Sequence, residues 1–162
     1  MTEAQMDEFF RARRVAVLSI ARDGKPPLTA PIWYEWNGRV FHMHVDAKGA
    51  KAKLIGRLGR APVALAIQSE VPPYRYVVVY GSATLSTEVD PAQRLRVARR
   101  YFGRRAGDMY VQREQQRGSR PEDMRTVEVT PERTVSHDFG PEAGWFGRLY
   151  FAVMRLFRPV PA

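Results

Sequence analysis

Short runs of apolar and β-branched residues, separated by turn residues, make up most of the chain between residues 15 and 87. Runs of this kind predict β-strands. The pairs Asp23-Gly24 and Asn37-Gly38 are hairpin signals that place the first three strands in one meander. Gly81 lies within a long run and predicts a β-bulge there. The predicted strands cover residues 15–21, 28–36, 39–45, 63–68, 74–87, 125–130 and 134–139.

Helical patterns occur between these strands. Thr2, with Gln5 three residues later, forms a capping-box pattern that begins a helix over residues 3–13. Residues 49–58 lack strand alternation and contain Ala and Lys, which favours a second helix. Asp90-Pro91 predicts the start of a third helix reaching about residue 105, with a further turn or two at 108–117. The order of elements predicts a mainly β, α+β fold, an antiparallel barrel of six or seven strands with peripheral helices.

The chain has 162 residues, the length of one domain, which we place at residues 1–140. It contains no Cys, so disulfides and cysteine-based sites are excluded, and the cytoplasm is the expected location. No apolar run is long enough for an ordinary transmembrane helix, and the N-terminus does not resemble a signal peptide. Residues 141–162 form an amphipathic tail. We expect this tail to pack on the domain or on a second copy, or to contact a membrane surface through residues 145–158.

The positive charge is unevenly distributed. The net charge is +9, and residues 48–60 contain only cations as charged residues. Three of the four lysines, Lys48, Lys51 and Lys53, lie at the predicted junction between a strand and the second helix. A helix N-terminus presents free N–H groups to an anion, so these ammonium groups favour a phosphate site, although a solvated helix face would look the same.

Four stretches of the sequence resemble the split-barrel flavin and deazaflavin oxidoreductases related to pyridoxamine 5′-phosphate oxidase, and in particular the branch that uses coenzyme F420. The first stretch contains the Pro31-Ile32-Trp33 element, the second the lysine cluster, the third the long strand and the fourth the end of the barrel. They are LSIARDGKPPLTAPIWYEWNGRVFHMHV, KGAKAKLIGRLGRAPVALAI, PPYRYVVVYGSATL and VEVTPERTVSHDF. The resemblance spans about residues 9–139, and only the order of all four stretches makes it specific.

The resemblance implies an enzyme that transfers a hydride between coenzyme F420, or alternatively FMN, and a small unsaturated organic substrate. It also implies a homodimer with the cofactor at the dimer interface. Lys51 matches the family's phosphate-contacting position best. The expected cofactor-binding residues are Thr29, Ala30, Pro31, Ile32, Trp33, His44, Lys48, Gly49, Lys51, Lys53, Arg57, Arg75 and Tyr76. Purely structural roles remain as alternatives: Trp33 would be a core residue, and Arg75 and Tyr76 would be an exposed pair.

Other functions remain as alternatives. A non-catalytic flavin or haem carrier would use the same barrel, and a basic nucleic-acid-binding barrel is a remote possibility because aromatic residues interleave poorly with the arginines of the third helix. His42, His44 and Asp46 alternate on one predicted strand, but one strand supplies only three ligands, so we expect no metal site. The sequence contains no Walker loop and no G-x-G-x-x-G motif, which disfavours nucleotide-triphosphate and Rossmann-type binding.

Overall fold

A computed structural model of the chain describes residues 1–86, 89–140 and 144–156. The strands are β1 (Ala16–Ile20), β2 (Leu28–Ile32), β3 (Glu35–Trp36), β4 (Phe41–Asp46), β5 (Ala61–Gln68), β6 (Arg75–Ser86) and β7 (Met124–Asp138). The helices are α1 (Glu3–Arg11), α2 (Ala50–Leu58), α3 (Pro91–Phe102), α4 (Arg104–Gln116) and α5 (Gly144–Leu156), and a short 3-10 helix precedes β7. The strands form one antiparallel sheet in the order β2-β1-β5-β6-β7-β4-β3, curled into a half-barrel. The predicted mainly β, α+β class is confirmed.

The core lies inside the curled sheet, because alternate residues of the long strands are buried there. The helix α2 packs its apolar face against this interior and buries Ile55 completely. Phe10 of α1 packs edge to face on Phe41, with the ring centroids 4.9 Å apart. The hydroxyl of the buried Tyr34 donates a hydrogen bond to the carbonyl oxygen of Phe10 at 3.1 Å, which fixes α1 over the end of the barrel.

The predicted second strand over residues 28–36 is two strands in the structure. Pro31 lies within β2 and pairs with Val17, and β2 is an edge strand of the sheet. An edge strand tolerates Pro because one side of its backbone has no ladder partner. The break follows Ile32 instead, where the backbone N–H of Tyr34 donates to the hydroxyl of Tyr101 at 3.1 Å rather than to a neighbouring strand.

The last two predicted strands are one strand, β7, which pairs with β6 over the whole of β6. The register shifts between Tyr80 and Gly81, and Glu132 is the extra residue opposite this step. A Cβ at Gly81 would collide with the carbonyl oxygen of Thr130, so only glycine fits at this point. The predicted bulge at Gly81 is confirmed, and the bulge accommodates Pro131 without ending the strand.

The third helix ends earlier than predicted, and the fourth is longer. Gly103 has a φ of 83° and closes α3 at Phe102, because glycine adopts positive φ without strain. The helix α4 then extends for 13 residues instead of one or two turns. It packs back on α3, and Gly107 makes this close approach possible, since a Cβ there would lie 2.7 Å from the backbone of Arg99.

Part of the predicted tail over residues 141–162 lies outside the described residues, namely 141–143 and 157–162. Residues 144–156 form α5. Within the part of the chain that the structure describes, no helix combines the length and apolar character that a membrane span requires.

Candidate functional site

A cavity of about 420 Å³ opens where the curled sheet is split. We call it the split cavity. The end of β2 forms one wall and the end of β4 the opposite one, while α2, α3 and α4, together with Val15 before β1 and Met124 at the start of β7, contribute the other side chains. The lining residues are Val15, Pro31, Ile32, Trp33, His44, Val45, Asp46, Lys51, Arg94, Val97, Ala98, Tyr110, Glu114 and Met124. The volume lies within the range of about 300–1,000 Å³ that small-molecule sites occupy.

The strand pairing explains why backbone groups border this cavity. One edge of β4 pairs with β7 over its whole length, but β3 covers only Phe41 and His42 on the other edge. The strand β2 is an edge strand of the sheet, paired only with β1. The ends of two uncovered strand edges therefore face the cavity, and their free N–H and C=O groups are available to the edge of a flat, polar ligand.

The N-terminus of α2 meets the cavity with positive charge and without a side-chain cap. Gly49 is the N-cap residue, and no acid lies in the first turn. Lys51 lines the cavity, and among the described residues no carboxylate pairs with its ammonium group. Asp46 also lines the cavity, but its side chain accepts a hydrogen bond from the backbone N–H of Lys48 at 2.7 Å and so shapes the turn into α2.

His44 presents a partly buried imidazole to the same cavity. Burial has the largest effect on the pKa of His44 and lowers it. A hydrogen bond with the Gln93 side chain raises this pKa, and the positive charge of Arg94 lowers it. These effects together favour the neutral form of the imidazole. Its Nε2 atom is buried and has no hydrogen-bond partner within the described part of the chain, and the same holds for Oγ1 of Thr126, the residue directly opposite on β7. The unsatisfied Nε2 atom of His44 at the cavity is suited to a bound water or to a polar group of a ligand, whereas Thr126 does not line this cavity.

Trp33 forms one wall of the cavity while packing against the helices above it. Its indole stacks on Tyr101 with the ring centroids 4.9 Å apart and 13° between the planes, and Phe102 and Tyr110 pack against it edge-on. The hydroxyl of Tyr101 donates to the carbonyl oxygen of Arg14 at 2.7 Å, and burial raises the pKa of this phenol. Trp33 is thus both a packing residue and a lining residue, so the two sequence interpretations are compatible.

Five of the thirteen sequence-predicted residues line the split cavity: Pro31, Ile32, Trp33, His44 and Lys51. Lys48 and Gly49 lie at the turn that leads into α2, Lys53 and Arg57 lie on α2, and none of the four lines the cavity. Thr29 and Ala30 belong to β2 but do not line the cavity, and the hydroxyl of Thr29 lies 3.0 Å from that of Ser19 on the neighbouring strand.

Arg75 and Tyr76 lie elsewhere, at the start of β6, and line no part of this cavity. The guanidinium of Arg75 pairs with Asp138 at 3.0 Å, and the ring of Tyr76 stacks on His137 at 5.9 Å between centroids. The structure of one chain therefore does not bring these two residues to the site that they were predicted to serve.

Three polar lining residues from α3 and α4 were missed by the sequence reasoning, namely Arg94, Tyr110 and Glu114. Arg94 donates to the hydroxyl of Ser119 at 3.4 Å and has no ion-pair partner within the described residues. The sequence signal that could have identified Arg94 is its position three and four residues before Val97 and Ala98, the two apolar residues that α3 buries. Among the described residues, no group of three or more His, Cys, Asp or Glu side chains could hold a metal ion.

Comparison with solved structures finds the same fold at low sequence identity. A conserved hypothetical protein from Mycobacterium tuberculosis is 21% identical, with a TM-score of 0.65 over 100% of this chain and 91% of that chain. A structure named F420 reductase is 18% identical, with a TM-score of 0.55 over 80% of this chain and 94% of that chain. An FAD- and haem-binding protein from Mycobacterium smegmatis is 13% identical, with a TM-score of 0.59 over 85% and 71%.

No curated protein matches the sequence. The sequence profile described as pyridoxamine 5′-phosphate oxidase, in contrast, matches residues 2–138. This match covers the whole half-barrel from α1 to the end of β7 and includes every residue of the split cavity. The chain therefore belongs to the pyridoxamine 5′-phosphate oxidase family.

Proposed function

We propose that this chain is an oxidoreductase that binds coenzyme F420, or alternatively FMN, in the split cavity. A bound flavin or deazaflavin would supply the hydride chemistry, here directed to a small unsaturated organic substrate. The tasks of the protein are to hold the cofactor's phosphate, to align its ring along a polar edge and to exclude water with apolar walls.

The observation that carries this proposal is the position of Lys51. It joins an unpaired ammonium group to the uncapped N-terminus of α2, at a cavity bordered by two uncovered strand edges. A phosphate suits the first two features, since helix N-terminal N–H groups and a nearby cation both stabilise an anion. The strand edges and the apolar side chains of Val97, Ala98 and Trp33 suit a flat ring with a polar edge.

The preference for coenzyme F420 over FMN rests on charge along α2. Lys53 and Arg57 are exposed, and neither has an ion-pair partner in the part of the chain that the structure describes. A cofactor whose tail continues beyond the first phosphate with several carboxylates would use these cations, whereas FMN ends at its phosphate. A solved relative named F420 reductase supports the choice, and relatives named for FAD binding keep the flavin alternative open.

The test is a fluorescence titration of the purified protein with coenzyme F420 and with FMN. We expect saturable binding of coenzyme F420 that is tighter than binding of FMN. Tight FMN binding without coenzyme F420 binding would reverse the cofactor assignment, and binding of neither would refute the proposal. Binding without hydride transfer to any member of an enone and quinone panel would favour a carrier, as the name of the FAD- and haem-binding relative illustrates.

We also propose that the chain forms a homodimer through the outer face of its sheet. Four residues lie in one row across neighbouring strands: Val17 pairs with Ala66, Ala66 with Val78 and Val78 with Val135. Val17 is 39% and Val135 is 42% exposed, so apolar surface on this face remains open to solvent in a single chain. A two-fold interface uses the same patch twice, and a flat apolar row of this kind suits such self-association.

A dimer would also give Arg75 and Tyr76 a role, because these residues lie on the same long strand as Val78 and could reach the split cavity of the second copy. Light scattering at micromolar concentration should report about twice the 18.5 kDa of one chain. A monomer that binds the cofactor with full stoichiometry would refute the shared site and would leave Arg75 and Tyr76 as a surface pair.

A further inference from the structure

The helix α5 carries an apolar face that the rest of the described chain does not cover. Trp145 is 68% exposed, Phe146 69%, Leu149 56%, Tyr150 59% and Val153 41%. At 3.6 residues per turn these five positions fall within an arc of about 140°, so they form one continuous stripe along the helix. A contiguous exposed apolar surface on a folded protein marks a site of contact with another protein or with a membrane.

We propose that α5 binds the surface of an anionic lipid bilayer and lies in the plane of its interface. The helix has 13 residues and is about 20 Å long, too short to cross a hydrocarbon core of about 30 Å. Trp and Tyr favour the boundary between headgroups and acyl chains, and both occur on the exposed stripe. This proposal does not depend on the cofactor or on the oxidoreductase function.

Charge favours lipid over a second copy of the chain as the partner of this face. Residues 144–156 contain Arg148 and Arg155 and no acidic residue, and the whole chain carries a net charge of +9. An anionic bilayer attracts such a segment. A two-fold contact between two copies of α5 would instead bring like charges together without a compensating acid. The row through Val78 on the sheet already offers a separate apolar face for dimerisation.

The test measures co-sedimentation of the full-length protein with vesicles of 70% phosphatidylcholine and 30% phosphatidylserine, and with vesicles of pure phosphatidylcholine. Leu149→Ser removes apolar surface from the stripe without a change of charge. Met109→Ser is the matched control, because Met109 lies on α4 and is 53% exposed, close to the 56% of Leu149. Neither substitution touches a residue that lines the split cavity.

We expect wild-type protein to bind the anionic vesicles more tightly than the neutral ones, with a blue shift of tryptophan emission. Leu149→Ser should weaken this binding by about fivefold, as expected for the loss of roughly half of a leucine side chain's apolar contact, while Met109→Ser should bind like wild type. Wild-type protein that stays in the supernatant would refute the proposal. Equal binding of Leu149→Ser and wild type would show that general positive charge alone is responsible, which would refute it as well. A change of oligomeric state in Leu149→Ser would assign the stripe to a subunit interface and would also overturn the proposal.

Discussion

Replacing Lys51 with alanine tests the phosphate end of the proposed cofactor site. The side chain lines the split cavity, beside the uncapped N-terminus of α2. It makes no ion pair among the described residues, so its removal breaks no structural contact of that kind. Ala is the best helix former, and a cation near a helix N-terminus is unfavourable, so Lys51→Ala should leave the Tm of the apo protein unchanged or slightly higher.

The expected loss of cofactor affinity follows from the type of contact that Lys51 would make. A hydrogen bond to a charged group contributes about 1.5–3 kcal/mol. Since about 1.4 kcal/mol corresponds to a factor of ten in the dissociation constant, Lys51→Ala should weaken binding by about 10- to 100-fold. Lys53 on the same helix is exposed and outside the cavity lining, and salt screens such a charge within about 8 Å.

Lys53→Ala is therefore the matched control, with the same change of charge on the same helix. Fluorescence titration of both variants with FMN, which ends at its phosphate, at physiological ionic strength should show a large loss of affinity for Lys51→Ala and a small one for Lys53→Ala. With coenzyme F420, Lys53→Ala should also lose affinity, because Lys53 is one of the cations proposed to bind its tail. Equal losses of FMN affinity in the two variants would mean that α2 attracts the phosphate only through its general field. A lower apo Tm together with unchanged affinity would make Lys51 a structural residue and would place the phosphate elsewhere.

Three further expectations concern the sheet and the imidazole of His44. Val78→Asp should convert the proposed dimer into a monomer of 18.5 kDa by light scattering, because it puts a charge in the middle of the apolar row; an unchanged dimer would exclude this face. Gly81→Ala should lower the free energy of unfolding by about 1–3 kcal/mol in urea titrations, since its Cβ would collide with the Thr130 carbonyl oxygen; unchanged stability would contradict the tight bulge. Burial lowers the pKa of His44, so below about pH 6.5 the unfolded chain binds more protons at this residue than the folded chain does. The free energy of unfolding should therefore fall as the pH drops, and His44→Asn should make that fall shallower. An identical dependence of the free energy of unfolding on pH in the variant would show that His44 is not responsible.

Local sequence signals predicted most of the sheet correctly. Asn37-Gly38 joins β3 to β4 as expected of a hairpin signal, and the capping box at Thr2 begins α1 with both of its hydrogen bonds present. The bulge at Gly81 was also predictable, because a glycine in the interior of a long strand commonly marks a bulge. These features depend on residues that are close in sequence, which is why a pattern along the chain reveals them.

Most of the errors involve contacts between residues that are distant in sequence, although α3 ends earlier than predicted for a local reason, the positive φ of Gly103. Two strands were predicted over residues 125–130 and 134–139, but pairing with β6 on both sides of the bulge joins them into the single strand β7. The strand predicted over residues 28–36 is divided, but not at Pro31, whose missing N–H is not needed on an edge strand. The real break, before Glu35, depends on the hydroxyl of Tyr101, a residue 67 positions away from Tyr34. No local pattern encodes such a partner.

The same distinction separates the two sides of the candidate site. The side formed by β4 and α2 was predictable, because His44 and Lys51 are close in sequence and belong to one strand–turn–helix unit. The side formed by α3 and α4 was not predictable, because the contribution of Arg94 to the cavity depends entirely on how this helical pair docks.

Arg100 and Tyr101 fix that docking. The guanidinium of Arg100 donates to the carbonyl oxygens of Phe10, Arg11 and Ala12 at 2.9, 2.9 and 2.7 Å, at the end of α1. Tyr101 accepts the backbone N–H of Tyr34 and stacks on Trp33. Two consecutive residues of α3 thus attach this helix to α1 and to the break between β2 and β3. If the proposed cofactor site is correct, substitutions on the cavity-facing side of α3 should change which substrate fits beside the cofactor without altering the strand–turn–helix unit that would hold its phosphate.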